Sequence, residues 1–275
     1  MIAALEQKRA EERVAVAALA TEKVLHLSSA ELAARLAGEI AAIDAEVPQV
    51  VFKAIESGLA RSFNKPAQVA AVYRALLPIR QRQSQRYFDM GPEITEIARH
   101  FVAPQIDRMI DLLNAEVPRV AQRPMSGGLV VLEIDPWSNP LLDSQGFEAL
   151  VDSKFKRFLA AAQIFIDTQG KEALGASLAG PIRFAAAALQ AVVRTAVSAI
   201  HNAALLAVYR RFGDVVSGYR WITTTRPEER IGNHYNVVYQ LTANVLPPAH
   251  IGSRSVIAPL FYPEARVSER KAEVA

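Results

Sequence analysis

Residues 182–212, IRFAAAALQAVVRTAVSAIHNAALLAVYRRF, run directly into residues 213–224, GDVVSGYRWITT, and the change of character between the two stretches decides the fold. The first stretch is rich in alanine and leucine, which favour a long helix. Gly213 and Gly218 are expected to end that helix. Residues 219–224 then carry the aromatic and β-branched side chains that are typical of a strand. The C-terminal part of the chain is therefore predicted to combine helix and sheet.

Strand-like composition recurs downstream of this stretch, and helix-like composition recurs upstream of it. Residues 235–241 and 255–261 are predicted as two further short strands. Residues 146–167 are predicted as a helix, and Gly180-Pro181 is expected to mark the start of the long helix. The strands therefore all fall near the C-terminus.

A proline- and glycine-rich connector lies further upstream. Residues 118–144 contain four prolines and the pair Gly127-Gly128, a composition that argues against helix. Inside the connector, residues 129–134, LVVLEI, are predicted as a strand. This change in composition predicts a domain boundary.

The N-terminal residues predict a succession of amphipathic helices separated by breaking residues. Ser28 or Ser29 is a candidate N-cap, and Pro48 and Gly91-Pro92 are expected to interrupt helices. The predicted helices are residues 2–25, 29–45, 50–63, 68–88 and 94–116.

Together these patterns predict an α+β fold that is predominantly α-helical, with a helical N-terminal region and a small C-terminal α+β domain holding a few short strands. The predicted divisions are a helical region at residues 1–116, a connector at 117–145, the α+β domain at 146–263 and a charged tail at 264–275.

Composition sets the broad class of protein. The 275 residues are 51% hydrophobic and 21% charged, which is typical of a globular chain with a real core. The net charge of +3 is low for a dedicated DNA-binding domain. Cysteine is absent, which excludes disulfides, cysteine nucleophiles and thiolate metal sites. We expect a soluble protein without a signal peptide or a membrane helix.

Sequence motifs of common enzymes are missing. The chain has no Gly-x-Ser-x-Gly, no His-Glu-x-x-His and no phosphate-binding loop of the Gly-x-x-x-x-Gly-Lys-Ser/Thr type. His250 follows Pro247-Pro248 and could be a catalytic base, a metal ligand or a hydrogen-bonded loop residue. No second ligand stands at a suitable spacing, which favours the loop residue. We therefore expect a protein that is not an enzyme and that holds no cofactor and no metal.

Several short motifs follow one another through the last third of the chain, and in this order and spacing they resemble the Mu F-like minor head (head morphogenesis) family of tailed phages. The resemblance covers about residues 184–261. The motifs are Arg194-Thr195, Asn202-Ala203, Tyr209-Arg210-Arg211-Phe212-Gly213, Gly218-Tyr219-Arg220-Trp221, Thr225-Arg226-Pro227, Pro247-Pro248-Ala249-His250 and Ser253-Arg254.

The chain also departs from the family pattern. Many members carry cysteines or a histidine after the Thr-Arg-Pro, where this chain has Glu228 and Glu229. Members also carry cysteines beside the last arginine, where Ser253 and Ser255 stand here. Ala196 replaces the acidic residue that often follows the Arg-Thr pair. If that cluster holds a metal in other members, this chain has lost the ligands.

The resemblance implies a minor capsid protein at the portal vertex of the virion, acting in head morphogenesis, in genome delivery (DNA ejection), or in both. Its implied partners are the portal and other head or neck proteins, with no membrane. Its implied location is the phage head, after assembly in the host cytoplasm. A head-to-tail adaptor and an internal ejection protein are the alternatives, and a delivered effector enzyme ranks below them.

Arginines raise a separate question. Arg194 lies among apolar residues of the long helix, where it either organises the interior or contacts a nucleic-acid backbone or a portal subunit. Arginines cluster around the end of that helix, where they either offset the helix dipole or contact packaged DNA without sequence specificity or a protein partner. This second group is Arg210, Arg211, Arg220 and Arg230. We interpret the remaining motif residues as structural: Thr195, Asn202, Trp221, Arg226, Pro227, Pro247, Pro248, His250 and Arg254.

Overall fold

The computed structural model describes residues 2–59, 65–116, 125–135, 144–168, 171–223, 234, 237–248 and 254–262. Over these residues the protein is predominantly helical, with one small antiparallel sheet near the C-terminus, which confirms the predicted α+β class. The elements are α1 (Ile2–Asp44), α2 (Val47–Leu59), α3 (Lys65–Glu116), α4 (Gly127–Leu132), α5 (Ser144–Thr168), α6 (Lys171–Arg211), β1 (Val216–Thr223), β2 (Val238–Gln240) and β3 (Ser255–Phe261).

Helix α1 is one continuous helix, so the predicted N-cap at Ser28 or Ser29 is wrong. The Ser28 hydroxyl donates to the carbonyl oxygen of Val24 at 3.1 Å, and the Ser29 hydroxyl donates to that of His26 at 3.0 Å. Both hydroxyls are therefore satisfied by the turn that precedes them, and a serine bonded in this way is compatible with a helix interior.

Helix α3 also continues through an expected break, at Gly91-Pro92. Each proline inside a helix removes the hydrogen bond to the carbonyl four residues earlier. Pro78, Pro92 and Pro104 are all exposed, and so are the residues four positions before them, so water can bond the unpaired carbonyls. The opposite face is held by core packing, with Ile94 fully buried. Packing therefore outweighs the local preference to break.

Two further helix boundaries differ from expectation. Helix α6 begins at Lys171 and passes through Gly180-Pro181, in a segment whose alanines favour helix on both sides. Helix α2 begins at Val47, three residues earlier than predicted, and has Pro48 in its first turn, a position that tolerates proline. The predicted break is nevertheless present, because α1 ends at Asp44.

The predicted strand at residues 129–134 is helix α4 instead. Val130 and Val131 are buried, whereas Leu129 and Leu132 are 64% and 62% exposed. Two adjacent buried residues with exposed neighbours fit one face of a helical turn and not the alternation of a strand. Gly127 anchors this turn, because its N–H donates to Asp107 Oδ1 at 2.6 Å.

The sheet has the order β2-β1-β3, with both pairings antiparallel. Strand β3 has the predicted bounds, β1 starts three residues earlier than predicted, and β2 is shorter than predicted. Gly218 was expected to end the long helix, but it lies inside β1. A Cβ there would stand 2.5 Å from the carbonyl oxygen of Tyr239, so the close approach of β1 to β2 requires glycine.

The chain forms two compact units, each assembled from stretches that are separated in sequence. Unit 1 comprises Met1–Ala30, Thr95–Asn139 and Arg194–Ala275, and unit 2 comprises Glu31–Ile94 and Pro140–Val193. The divisions predicted above follow chain order, whereas these units do not.

Unit 1 has a hydrophobic core built from both ends of the chain. Val14 from α1, Ile106 from α3, Leu205 from α6 and Ile257 from β3 are all fully buried in it. Unit 2 has its own core, which includes Val51, Leu76 and Phe158. Among the described residues, Ala187–Arg211 is long and apolar enough to cross a membrane, but 72% of the apolar window is buried, as in a core helix.

Candidate functional site

The structure brings the described motif residues together in unit 1. Arg194, Thr195 and Asn202 lie on α6, Trp221 lies on β1, and Arg254 directly precedes β3. Thr195, Asn202 and Trp221 are buried, as are Pro247 and Pro248, which are joined by a cis peptide bond. Arg226, Pro227, Glu228, Glu229, Arg230 and His250 lie outside the described residues.

Asn202 ties α6 to the outer edge of β3. Its Oδ1 accepts the N–H of Ile257 at 3.0 Å, and its Nδ2 donates to the carbonyl oxygen of Ser255 at 3.2 Å. Nδ2 also donates to the carbonyl oxygen of Ser198 at 2.8 Å. One buried amide therefore supplies the donor and the acceptor that a neighbouring strand would otherwise supply.

The rest of that edge is also occupied by side chains. The Tyr209 hydroxyl donates to the carbonyl oxygen of Ile257 at 3.2 Å. Glu11 Oε1 accepts the N–H of Phe261 at 2.9 Å, and Gln7 Nε2 donates to the Phe261 carbonyl oxygen at 2.8 Å. Pro259, on the same edge, has no N–H to offer. These contacts prevent another strand from pairing with β3 at these positions.

Trp221 holds the segment that follows β2. Its Nε1 donates to the carbonyl oxygen of Val245 at 3.1 Å, and the Tyr219 hydroxyl donates to the same oxygen at 3.0 Å. The Trp221 ring stacks on the His234 ring with centroids 4.5 Å apart, and His234 Nδ1 lies 2.7 Å from the Tyr239 hydroxyl. His234 is therefore held by packing and by a hydrogen bond.

A small pocket in unit 1 gathers basic side chains from three elements. Arg194, Ser198 and His201 face it from α6, His26 and Ser29 face it from α1, and Arg254 faces it from the start of β3. Its cavity volume is about 20 Å³, enough for about one water-sized atom. The described residues that line it are Glu22, Leu25, His26, Ser29, Arg194, Val197, Ser198, His201 and Arg254. We refer to it as the basic pocket.

Electrostatics in the basic pocket disfavour further positive charge. Arg254 Nη2 lies 2.8 Å from His26 Nε2. A guanidinium can only donate a hydrogen bond, so Nε2 must accept it and the His26 ring must be neutral. Burial and the charges of Arg254 and Arg194 lower the pKa of His26. Burial also lowers the pKa of His201 to about 3.

Two polar atoms of the basic pocket lack hydrogen-bond partners within the described part of the chain. They are Nε of Arg194 and Nε2 of His201, both of which are buried. His201 is 1% exposed, so its nitrogen has no alternative partner in bulk water. Unpaired buried donors or acceptors cost free energy, so each of these nitrogens calls for a bound water, ion or ligand.

No protein-family model, no curated protein and no solved structure matches the chain. The resemblance to the Mu F-like family therefore rests on the motifs quoted above.

The arginines at the end of α6 have partners inside the protein. Arg210 donates to the carbonyl oxygen of Leu241 at 2.8 Å and to Asn244 Oδ1 at 2.7 Å. Arg211 pairs with Glu133 at 3.0 Å. These bonds favour the structural interpretation of Arg210 and Arg211. Arg220 lies on the central strand β1 and is partly buried.

Sequence reasoning missed several polar residues of the pocket, namely Glu22, His26, Ser198 and His201. Arg194, Ser198 and His201 are spaced i, i+4 and i+7, which places them on one face of α6, and that spacing could have suggested a polar site. His26 is 228 residues away from Arg254, and no sequence signal connects them. Across the described residues, no group of three or more His, Asp or Glu side chains converges on a metal site.

Proposed function

We propose that this chain is a minor head protein of a tailed phage, which binds at the portal vertex and acts in head morphogenesis, genome delivery or both. The observation that supports the proposal is the order and spacing of the motifs from Arg194-Thr195 to Ser253-Arg254. Their described residues also pack into one unit, where Asn202 and Trp221 join helix, sheet and loop. The described motif residues thus belong to one folded unit.

The chemistry of these residues fits an assembly protein better than an enzyme. The polar atoms of Asn202 and Trp221 are engaged by backbone groups of the same unit. Buried side chains whose polar groups are satisfied in this way rigidify a core and specify its structure. We therefore propose a role through surfaces and not through turnover.

The N-terminal helices are part of this account, but they are not a separable docking module. Val14 and Ala18 of α1 and Ile106 and Leu113 of α3 are buried in the core of unit 1. Deleting residues 1–115 would therefore remove part of that core. Docking would instead use exposed apolar side chains on these helices, such as Val16, 66% exposed in unit 1, and Phe88, 73% exposed in unit 2.

Point substitutions test docking without damage to the core. Val16→Glu and Phe88→Glu should leave the folded fraction unchanged and reduce incorporation into heads, measured by quantitative mass spectrometry of purified particles. Ala42→Glu, at an exposed position on α1, is the matched control. Unchanged incorporation of both variants would contradict docking through these side chains.

A head-to-tail adaptor or an internal ejection protein is the alternative proposal. Copy number relative to the portal distinguishes these roles, because an adaptor forms a ring with one copy for each portal subunit. The same mass spectrometry measures that ratio. A ratio of one favours the adaptor, and a lower ratio favours the minor head protein.

A further inference from the structure

We propose that the basic pocket binds a phosphate group, with one oxygen entering between Arg194, His201 and Arg254. The proposal goes beyond the portal role and does not depend on it, since it uses only the geometry of unit 1. It rests on three observations: converging positive charge, unpaired buried nitrogens, and a cavity with room for one oxygen atom.

Positive charge converges from separate elements. Arg194 comes from α6 and Arg254 from the start of β3, and both are close enough to His26 to lower its pKa. Among the described residues that line the pocket, Glu22 is the one carboxylate, so the two arginines outnumber it. Two arginines brought together carry a repulsive cost that a bound anion removes.

Arg194 has donors to offer. Its side chain makes no hydrogen bond or ion pair with any residue that the structure describes, and its Nε is buried. A guanidinium carries five N–H donors in a planar fork that matches the oxygens of a phosphate. Arg254 donates from Nη2 to His26, and this hydrogen bond restricts the orientation of its guanidinium group.

His201 supplies a neutral partner at the base of the pocket. Its Nε2 has no hydrogen-bond partner among the described residues, although the ring is almost fully buried. As the Nε2–H tautomer it can donate to a phosphate oxygen without adding charge. Ser198 lies beside it, and its Oγ accepts from Asn202 Nδ2 at 3.3 Å, which leaves the Ser198 hydroxyl proton to donate.

The size of the pocket sets the mode of binding. A cavity of about 20 Å³ holds one oxygen but not a whole phosphate. His26, Arg194 and Arg254 are only partly buried, so the pocket reaches solvent and the rest of the group can remain there. This mode accepts inorganic phosphate and a phosphodiester of nucleic acid alike.

The direct test is titration of the full-length chain with inorganic phosphate, followed by phosphorus NMR and by thermal melting at constant ionic strength. We expect phosphate to raise the Tm more than chloride does. Arg194→Gln should weaken phosphate binding at least tenfold, whereas Arg211→Gln, at an arginine paired with Glu133 in the same unit, should change it less than twofold.

The melting temperatures of the variants without phosphate provide a second readout. Arg194→Gln should melt at the same or a higher temperature than the wild type without phosphate, because the substitution removes unpaired positive charge. Arg254→Gln provides an independent variant should Arg194→Gln fail to fold. Equal Tm shifts from phosphate and chloride, or phosphate binding unchanged in both variants, would overturn the proposal.

A competition experiment separates the two sources of phosphate. If the pocket takes a backbone phosphate, a short DNA duplex will displace inorganic phosphate, and Arg194→Gln will lower affinity for the duplex. If it takes free phosphate alone, the duplex will leave phosphate binding unchanged. Either result supports the pocket, and an absence of binding by both ligands contradicts it.

Discussion

Asn202 of α6 pairs with the backbone of Ile257 in β3, its Oδ1 accepting the Ile257 N–H at 3.0 Å. Both residues are completely buried. The amide therefore stands where the next strand of the sheet would stand, and it joins the long helix to the sheet edge.

This relationship predicts that Asn202→Leu is strongly destabilising. Ile257 N–H and Ser255 C=O would be left buried without these partners, at a cost of about 1–3 kcal/mol for each group. We expect the free energy of unfolding in urea to fall by about 2–5 kcal/mol. Asn114→Leu in the same unit is the control, because Asn114 Oδ1 has no hydrogen-bond partner in the described residues. Equal losses in both variants would contradict the role of Asn202.

A second prediction concerns the buried ion pair of unit 2. Lys154 Nζ lies 2.5 Å from Asp44 Oδ2, with the two side chains 0% and 1% exposed. Burial raises the pKa of Asp44 and lowers that of Lys154, and their mutual attraction opposes both shifts. Gln83 Nε2 donates to the other oxygen of Asp44. Lys154→Met should cost about 3–5 kcal/mol, because it leaves Asp44 buried without its cation.

A double-mutant cycle checks this pair. Asp44→Asn combined with Lys154→Met should recover much of the stability lost in Lys154→Met alone, giving a coupling free energy of about 2 kcal/mol or more. The control cycle uses Lys65 and Asp167, an exposed pair 3.0 Å apart, for which coupling should be much weaker because solvent screens the two charges. Similar coupling in both cycles would contradict the account.

The third prediction concerns pH. The pKa of His201 is about 3 in the folded protein, below its ordinary value of 6.5, so the unfolded chain binds the proton more readily. The contribution of His201 to stability is complete above pH 6.5 and is lost as the pH falls towards 3. The loss is on the order of 1 kcal/mol per pH unit for this one group.

Urea unfolding between pH 7 and pH 4 measures this dependence. His201→Leu should make the free energy of unfolding less sensitive to pH, because a neutral side chain replaces the buried imidazole. His100→Gln is the control at an exposed histidine, and it should keep the wild-type slope. An identical slope in wild type and His201→Leu would refute the assignment.

The fourth prediction concerns the contact of α4 with α3. A Cβ on Gly127 would lie 2.4 Å from the carbonyl oxygen of Ala103 and 2.8 Å from the backbone nitrogen of Asp107. Gly127→Ala should therefore destabilise unit 1 by about 1–3 kcal/mol, measured by the shift in urea midpoint. Gly128→Ala is the control, since its Cβ would meet Ser126 Oγ at 3.5 Å. It should be neutral or stabilising by up to about 1 kcal/mol.

The sequence predicted those features that depend on composition over a whole segment. The helical content and the bounds of β3 follow from alanine-rich and β-branched runs. Predictions from single residues were less successful. Gly91-Pro92 does not break α3, because the affected face is exposed and the other face is packed. The segment at residues 129–134 forms a helical turn, because contacts with α3 outweigh strand preference.

The candidate site was predictable only in part. Arg194, Asn202 and Arg254 were identified from the order of the motifs, whereas His26 and His201 were not, although His201 lies on the same helix as Arg194. In the basic pocket, His26 contacts Arg254, which is 228 positions away in the sequence, so this pairing exists only after folding. Gln7 and Glu11 likewise reach Phe261 from the other end of the chain. Such contacts leave no local pattern in a sequence.

The most direct test of the proposed portal role is localised cryo-EM reconstruction of the portal vertex in tailed-phage particles that are assembled in cells expressing this chain. We expect density for the three-stranded sheet and α6 bound to the portal, at fewer than one copy per portal subunit. Particles that contain no such density, and no peptides of the chain by mass spectrometry, would contradict it.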